Sequence, residues 1–274
     1  MKALFDNQWT DNKISLNISD RALQFGDGLF ETVLYSNEKI HRLPFHLERL
    51  KRGCEAMNLQ LPDYISEVTN SKKAIERLIH QNQLHDENLR IKIMVWRQEA
   101  HQTGYSSPNT SAHTLISVKP YSIPDVNNAI TVGQSLEVKN HFWKMSNFKK
   151  LNSLPYVIAS QEKAARQLDE LVIPDVLGNV SECITSNIFW YKSGCFYTPS
   201  LNTGCVAGVR RREVILKLKA LKYPIIEVEE NIESLHQAEF AFITNSLSIK
   251  KIAEFENTKF RNSAIYESLI DQLD

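Results

Sequence analysis

Two adjacent lysines, Lys149 and Lys150, lie near the middle of the chain, immediately before a segment (residues 156–164) with helical character. Side chains of an extended segment alternate between two faces, so one lysine can enter a pocket while the other stays in water. A lysine amine that loses water, or that lies near another cation, becomes less basic and can form a Schiff base with an aldehyde. Because lysines are rarely buried, Lys149 is a candidate nucleophile only together with other residues of a site.

Glu182 is the second residue that could do chemistry. It stands among small and apolar residues in the segment 180–190, and a buried carboxylate is unstable without a partner. A pyridinium nitrogen would be such a partner, because a carboxylate that keeps this nitrogen protonated turns the ring into an electron sink. The alternative, a turn carboxylate that accepts backbone N–H groups, stays open at this point.

Two parts of the second half could bind phosphate. A helix is predicted from Val209 and Arg210 to about Lys222, and free N–H groups at a helix amino terminus bind phosphate when a glycine such as Gly208 leaves room. The polar side chains that could close such a site follow a predicted strand late in the chain and are Thr244, Asn245 and Ser246. The neighbouring arginines 210–212 could instead suggest nucleic acid, but they form one short cluster without an aromatic platform.

Arg49 is a further candidate for an anion. It flanks the apolar stripe of a predicted helix that has Pro44 near its first turn. A guanidinium group is permanently charged and forks toward two oxygens, which suits a phosphate. The alternative is an exposed helical arginine that pairs with Glu48 or Glu55, since most arginines are solvated.

Composition limits the classes of function. The chain has 274 residues, 42% of them hydrophobic, and equal numbers of basic and acidic residues, 32 each. A formal net charge of zero gives no global attraction to nucleic acid or to an anionic membrane. The four cysteines lack Cys-x-x-Cys spacing and the amino terminus lacks an apolar leader, so we expect a cytoplasmic protein without a structural metal or a membrane span.

The chain is long enough for two domains of ordinary size, each with its own core. Strands are predicted at residues 30–35, 89–96 and 114–118, and the polar, proline-containing segment 119–128 is the best linker. Between two of these strands, the loop from Arg97 to Tyr105 is long enough to reach over a pocket. Arg97 and His101 are candidates to bind a carboxylate there, with solvated loop residues as the alternative.

Together these segments resemble the class IV aminotransferase family, the fold-type IV enzymes that use pyridoxal 5'-phosphate (PLP). The resemblance rests on Lys149-Lys150-Leu151-Asn152, on Ser181-Glu182-Cys183-Ile184 and on the His-x-x-Arg-Leu pattern that ends at Leu50. It implies a D-amino-acid aminotransferase-like fold of two α+β domains, residues 1–120 and 125–274. The cofactor is then expected at the domain interface, with its lysine in the C-terminal domain. It also implies a homodimer, Lys149 as the Schiff-base lysine, Glu182 on the pyridine nitrogen, and a phosphate site made by Arg49, Val209, Arg210, Thr244, Asn245 and Ser246.

Within the family, the segments around Phe30-Glu31-Thr32 and Thr244-Asn245-Ser246-Leu247 look most like 4-amino-4-deoxychorismate lyase, an enzyme of folate biosynthesis. This resemblance implies substrate contacts from Phe30, Thr32, Arg97 and Tyr105. Many lyases have an arginine before the Gly-Tyr of the substrate loop, whereas Thr103 stands there in this chain. Two alternatives are an aminotransferase for branched-chain or D-amino acids and a non-catalytic descendant that binds a ligand.

Overall fold

The computed structural model describes residues 1–99, 104–125, 128–261 and 263–273. The chain divides into two compact units, Met1–Ile123 with Phe148–Asn152, and Pro124–Asn147 with Ser153–Asp274. Each unit combines a β-sheet with helices, so the predicted α+β class is confirmed. None of the helices in these described ranges is long and apolar enough to cross a lipid bilayer.

The first unit is built on an antiparallel sheet. Its six strands in the described residues are β1 (Ala3–Phe5), β2 (Gln8–Thr10), β3 (Gly28–Ser36), β4 (Lys39–Ile40), β5 (Leu89–Arg97) and β6 (Ala112–Pro120). They lie side by side in the order β2-β1-β6-β5-β3-β4. Strand β5 shows the expected alternation, because Ile91 and Ile93 are buried on one face while Lys92 and Met94 stay partly exposed on the other.

The helices of the first unit that the structure describes are α1 (Arg21–Phe25), α2 (Leu43–Ala56), α3 (Asp63–Ser66) and α4 (Val68–Gln81). Helix α2 has proline in its first turn, where a missing N–H costs nothing. Its buried positions include Leu43, Leu47, Leu50 and Cys54, which recur at helical spacing. The stripe places His46 and Arg49 on the buried side of the same helix.

The lysine segment Phe148–Asn152 packs with the first unit, although we expected it inside the C-terminal domain. It pairs with the start of β3: Phe30 N–H donates to Lys149 O (2.9 Å), and Leu151 N–H donates to Gly28 O (2.9 Å). A β-carbon at Gly28 would lie only 2.7 Å from Leu151 Cδ1, so the glycine permits this close approach. Backbone hydrogen bonds to β3 therefore place the lysine segment with the first unit, although its neighbours in sequence belong to the second.

The second unit has a mixed sheet. The structure describes nine strands in it, namely β7 (Ile130–Gln134), β8 (Glu170–Pro174), β9 (Val180–Cys183), β10 (Asn187–Lys192), β11 (Cys195–Pro199), β12 (Ile225–Val228), β13 (Phe240–Thr244), β14 (Ile249–Phe255) and β15 (Thr258–Lys259). The order is β12-β11-β10-β13-β14-β7-β8-β9, with β15 beside β14. The β11–β12, β14–β7 and β7–β8 pairs are parallel and the remaining pairs are antiparallel.

Three helices of this unit contribute side chains to hydrophobic clusters that also contain residues of the sheet. They are α5 (Leu154–Ala165), α6 (Val209–Ala220) and α7 (Ala264–Ile270). Strand β13 shows why both sheet faces are covered: Phe240 and Phe242 belong to one cluster, and Ala241 and Ile243 belong to another. Helix α7 contributes buried side chains to the cluster of Phe240.

Candidate active site

Lys149 lies against an aromatic side chain of the first unit. Its Nζ is 4.8 Å from the centre of the Phe30 ring, and the side chain is partly buried. The segment is held to β3 by the hydrogen bond from Phe30 and by a bridge between Leu29 and Lys150. This extended pairing gives the two lysines the alternation that their sequence suggested.

Lys92 is a second cation at the same ring, and sequence reasoning missed it. Its Nζ is 4.7 Å from the centre of the Phe30 ring. Thr32 lies opposite Lys92 in the β3–β5 pair, and Phe30 lies opposite Met94, so these four side chains share one face of the sheet. Burial lowers the pKa of Lys92, and Arg90 and Lys119 add to the effect. The alternating pattern of β5 could have indicated Lys92, because it places this side chain on the sheet face opposite to the buried Ile91 and Ile93.

Arg49 forms a buried pair with Glu31, on the opposite face of β3 from Phe30. Arg49 Nε donates to Glu31 Oε1 (2.8 Å), and the guanidinium NH2 group donates to Oε2 (2.6 Å). His46 Nδ1 lies 2.6 Å from the same Oε2. Both alternatives for the partner of Arg49, Glu48 and Glu55, are exposed instead. The phosphate role of Arg49 stays a prediction.

The charge state of this cluster follows from its surroundings. Burial by itself would raise the pKa of Glu31, but Arg49 and His46 together hold it at about 2. Burial lowers the pKa of His46, so the ring is neutral and donates through Nδ1–H. The cluster therefore contains one ion pair with a neutral donor beside it.

Glu182 is buried in β9 of the second unit, 3% exposed. Tyr156 OH (2.6 Å) and Asn140 Nδ2 (3.0 Å) both donate to its Oε1, and Val206 N–H donates to Oε2 (2.9 Å). Hydrogen bonds from these three donors favour the charged form of the Glu182 carboxyl group. The carboxylate is thus fixed in position by neighbours on three different elements. Neither Tyr156 nor Asn140 was a candidate from the sequence.

The amino terminus of α6 follows a glycine, whose missing side chain leaves room for an anion to approach the backbone N–H groups. Gly208 precedes the helix, and a β-carbon at this position would collide with Asn187 Oδ1. Asn187 is itself held by a hydrogen bond from its Nδ2 to Val206 O (2.8 Å). Val209 and Arg210 begin the helix and are both buried.

The predicted phosphate residues at the end of β13 lie beside this helix start, since Thr244 pairs in register with Asn187. Thr244 is 1% exposed, and its Oγ1 is buried without a hydrogen-bond partner among the residues that the structure describes. A buried hydroxyl without a hydrogen-bond partner costs free energy, and a ligand that forms a hydrogen bond with it would remove this cost. Asn245 Oδ1 accepts from the N–H groups of Leu247 and Ser248 and shapes the loop, in which Ser246 is partly exposed. Three features fit a phosphate group: Gly208, the backbone N–H groups at the start of α6, and the Thr244 hydroxyl without a partner among the described residues.

Two of the predicted substrate contacts lie elsewhere in the first unit. Arg97 is buried, and it donates to Asp27 Oδ2, Met57 O, Asn58 O and Asn109 O. These bonds use four of its five N–H donors, which argues against a substrate contact. Tyr105 is 86% exposed and packs its ring near Phe25. His101 and Thr103 lie outside the described residues.

Comparison with known proteins decides the family. A profile described as Amino-transferase class IV matches residues 28–254. The chain belongs to this family. It is therefore an enzyme of the class IV aminotransferases, and the resemblance that its motifs suggested is confirmed.

Three relatives show the range of class IV activities near this chain. The aminodeoxychorismate lyase of Bacillus subtilis (strain 168) is 25% identical over 232 residues, which are 83% of this chain and 77% of that protein. The D-alanine aminotransferase of Listeria monocytogenes serotype 1/2a (strain 10403S) is 24% identical over 249 residues, 90% and 84% of the two chains. The structure of a branched-chain aminotransferase from Thermoproteus uzoniensis, with norvaline, superimposes with a TM-score of 0.90 at 24% identity, covering 100% of this chain and 93% of that one. Such similar levels of identity show the class IV fold and family and leave the reaction open.

Proposed function

We propose that this protein is a PLP-dependent 4-amino-4-deoxychorismate lyase, which releases pyruvate and forms 4-aminobenzoate for folate synthesis. The observation that carries the proposal is the pair of cations, Lys149 and Lys92, at the ring of Phe30. One amine can act on the substrate while the other attracts a carboxylate. The lyase substrate carries two carboxylates, so a second amine has a group to bind. The resemblance of the segments around Phe30 and Thr244 to those of the lyase supports the same choice.

Class IV aminotransferases are PLP enzymes, and we propose that the predicted residues hold PLP here. Lys149 would carry the cofactor, Glu182 would face its pyridine nitrogen, and the phosphate would lie at the residues Arg49, Val209, Arg210, Thr244, Asn245 and Ser246. When bound, PLP withdraws electrons from the amine-bearing carbon of the substrate and makes the proton on that carbon acidic. The ionised Glu182 favours this withdrawal because it stabilises positive charge on the ring nitrogen.

Lys149 has the role of general base in this proposal, because its amine takes the proton from the amine-bearing carbon. In the lyase reaction, the bond from the neighbouring carbon to the enolpyruvyl oxygen then breaks, and the ring becomes aromatic. The leaving group gains one proton as it becomes pyruvate, so the reaction consumes no second substrate. In an aminotransferase, Lys149 would return the proton and an oxo acid would be required.

The decisive experiment supplies 4-amino-4-deoxychorismate to the purified holoenzyme without any oxo acid. We expect 4-aminobenzoate and pyruvate to form in equal amounts. Turnover that depends on an amino donor and an oxo acid would replace the lyase with an aminotransferase for branched-chain or D-amino acids. A purified protein that takes up no PLP would support the non-catalytic ligand-binding alternative instead.

Lys92 is proposed to bind a carboxylate of the substrate, in place of the arginine that many lyases have before Gly-Tyr. Lys92→Met should raise KM about tenfold or more while kcat changes little, because a charge-assisted hydrogen bond is lost without loss of the base. Lys119→Met, on the neighbouring strand β6, is the matched control and should keep the KM of the wild type. An unchanged KM for Lys92→Met in steady-state assays would remove Lys92 from the site.

A cytoplasmic homodimer that acts on a small amino substrate, with no nucleic-acid or membrane partner, completes the proposal. A second copy of this chain is proposed as the partner because the resemblance to the class IV family implies a homodimer.

A further inference from the structure

Tyr156 stands out among the groups around Glu182 because it is not part of the predicted site. It lies in the first turn of α5, within the second unit, and its OH donates to Glu182 Oε1 at 2.6 Å. This distance is typical of an O–H donor on a charged oxygen, which is a stronger bond than one between neutral groups. The Tyr156 ring packs against the apolar cluster that contains Ala159 and Ile173, so the hydroxyl is aimed by its own core contacts.

The donor role of Tyr156 is fixed at every physiological pH. Burial raises the pKa of Tyr156 far above its ordinary value, and the neighbouring charge of Glu182 raises it further. The phenol therefore keeps its proton and can only donate to the carboxylate. Cys205, close to the same carboxylate, is also neutral because burial raises the pKa of its thiol to about 12.

The two other donors are held by backbone structure. Asn140 is fixed by its own N–H, which donates to Pro174 O (2.8 Å), and its side chain also reaches Ser181 Oγ (3.1 Å). Val206 contributes a main-chain N–H. Tyr156 is thus the side chain whose single hydroxyl can be removed with the smallest change to the frame around Glu182.

We propose that Tyr156 is a positioning residue that holds Glu182, through its hydroxyl, in the orientation and charge state that binds a protonated heteroaromatic nitrogen. The proposal rests on the proposed function, because it assigns that nitrogen to the pyridine ring of PLP. Removing the hydroxyl takes away the 2.6 Å hydrogen bond to Oε1 and leaves that of Asn140 Nδ2 in place. Glu182 then becomes free to turn and easier to protonate, and its attraction for a positively charged ring nitrogen falls.

The test compares Tyr156→Phe with wild type and with the matched control Tyr35→Phe. Tyr35 also donates one phenol hydrogen bond, to His85 O (3.2 Å), but it belongs to β3 of the first unit. PLP is titrated into each apoprotein to obtain its Kd, and the visible spectrum of bound PLP is followed against pH. We expect Tyr156→Phe to bind PLP about tenfold more weakly, as for loss of one hydrogen bond to a charged group. Its spectrum should change with pH at lower values than that of wild type.

The thermal midpoint of each apoprotein separates positioning from structural support. A positioning role predicts that Tyr156→Phe and Tyr35→Phe have similar apoprotein midpoints and differ in PLP affinity and spectrum. A Tyr156→Phe variant with wild-type affinity and spectrum would overturn the proposal, as would one that loses apoprotein stability alone. Should Tyr156→Phe fail to fold, Asn140→Ser removes the other donor to Oε1 and must weaken PLP binding in the same way. A wild-type protein that takes up no PLP would instead refute the proposed function.

Discussion

Lys149→Ala is expected to abolish turnover and to remove the visible absorption of PLP held by the protein. The amine of Lys149 is the proposed carrier of the cofactor and the proposed base. Loss of both roles should lower kcat by at least about 10⁴-fold. The backbone groups of residue 149 that bind β3 remain in the variant, so its fold should persist. Product formation and the visible spectrum of the purified variant are the measurements.

Lys150→Ala is the matched control for this prediction. Lys150 belongs to the same extended segment and bridges to Leu29, but alternation directs its side chain away from that of Lys149. The control variant should keep the spectrum and most of the activity. The assignment of the base would be wrong if Lys150→Ala lost the visible band while Lys149→Ala retained it.

Local patterns were sufficient to predict much of the fold. The alternation in β5 and β13 comes from side chains that leave the backbone on opposite faces, which short segments already encode. The helix α2 could be located from Pro44 and its apolar stripe for the same reason. The placement of residues 148–152 with the first unit could not be predicted, because it depends on pairing with β3, more than a hundred positions earlier.

The candidate site shows the same division between local and distant information. Lys149 and Glu182 could be proposed because each stands in a recognisable run of neighbours. Tyr156 was missed, since in sequence it is one more apolar residue of a helix, and only its hydroxyl reaches Glu182. Lys92 was missed because the aromatic ring that it contacts belongs to Phe30, which lies on another strand.

The partner of Arg49 illustrates how burial decides between carboxylates on the same helix and one on a strand. Glu48 and Glu55 lie on the same helix, but both remain exposed, where an ion pair contributes little. Glu31 is 1% exposed and offers both oxygens to the guanidinium group. A buried fork of this kind requires an equally buried carboxylate, and a strand of the core supplies it.

Glu31→Gln is expected to destabilise the apoprotein by about 3 kcal/mol at neutral pH, because without PLP the buried charge of Arg49 is no longer balanced. Linkage gives a similar magnitude for the wild type. The pKa of Glu31 is lowered from 4.5 to about 2, and a shift of this size corresponds to about 3 kcal/mol. Urea unfolding of wild type and variant at neutral pH measures the difference.

The pH dependence of the same unfolding experiment identifies the charge as the cause. Because the folded-state pKa of Glu31 is depressed, its stabilisation is complete above the unfolded value of 4.5 and is lost as pH falls toward about 2. The difference between wild type and Glu31→Gln should therefore shrink across this acid range. Glu55→Gln, an exposed change on the neighbouring helix, should alter stability by less than about 0.5 kcal/mol. A Glu31→Gln variant as stable as Glu55→Gln would mean that Arg49 is balanced by something other than Glu31.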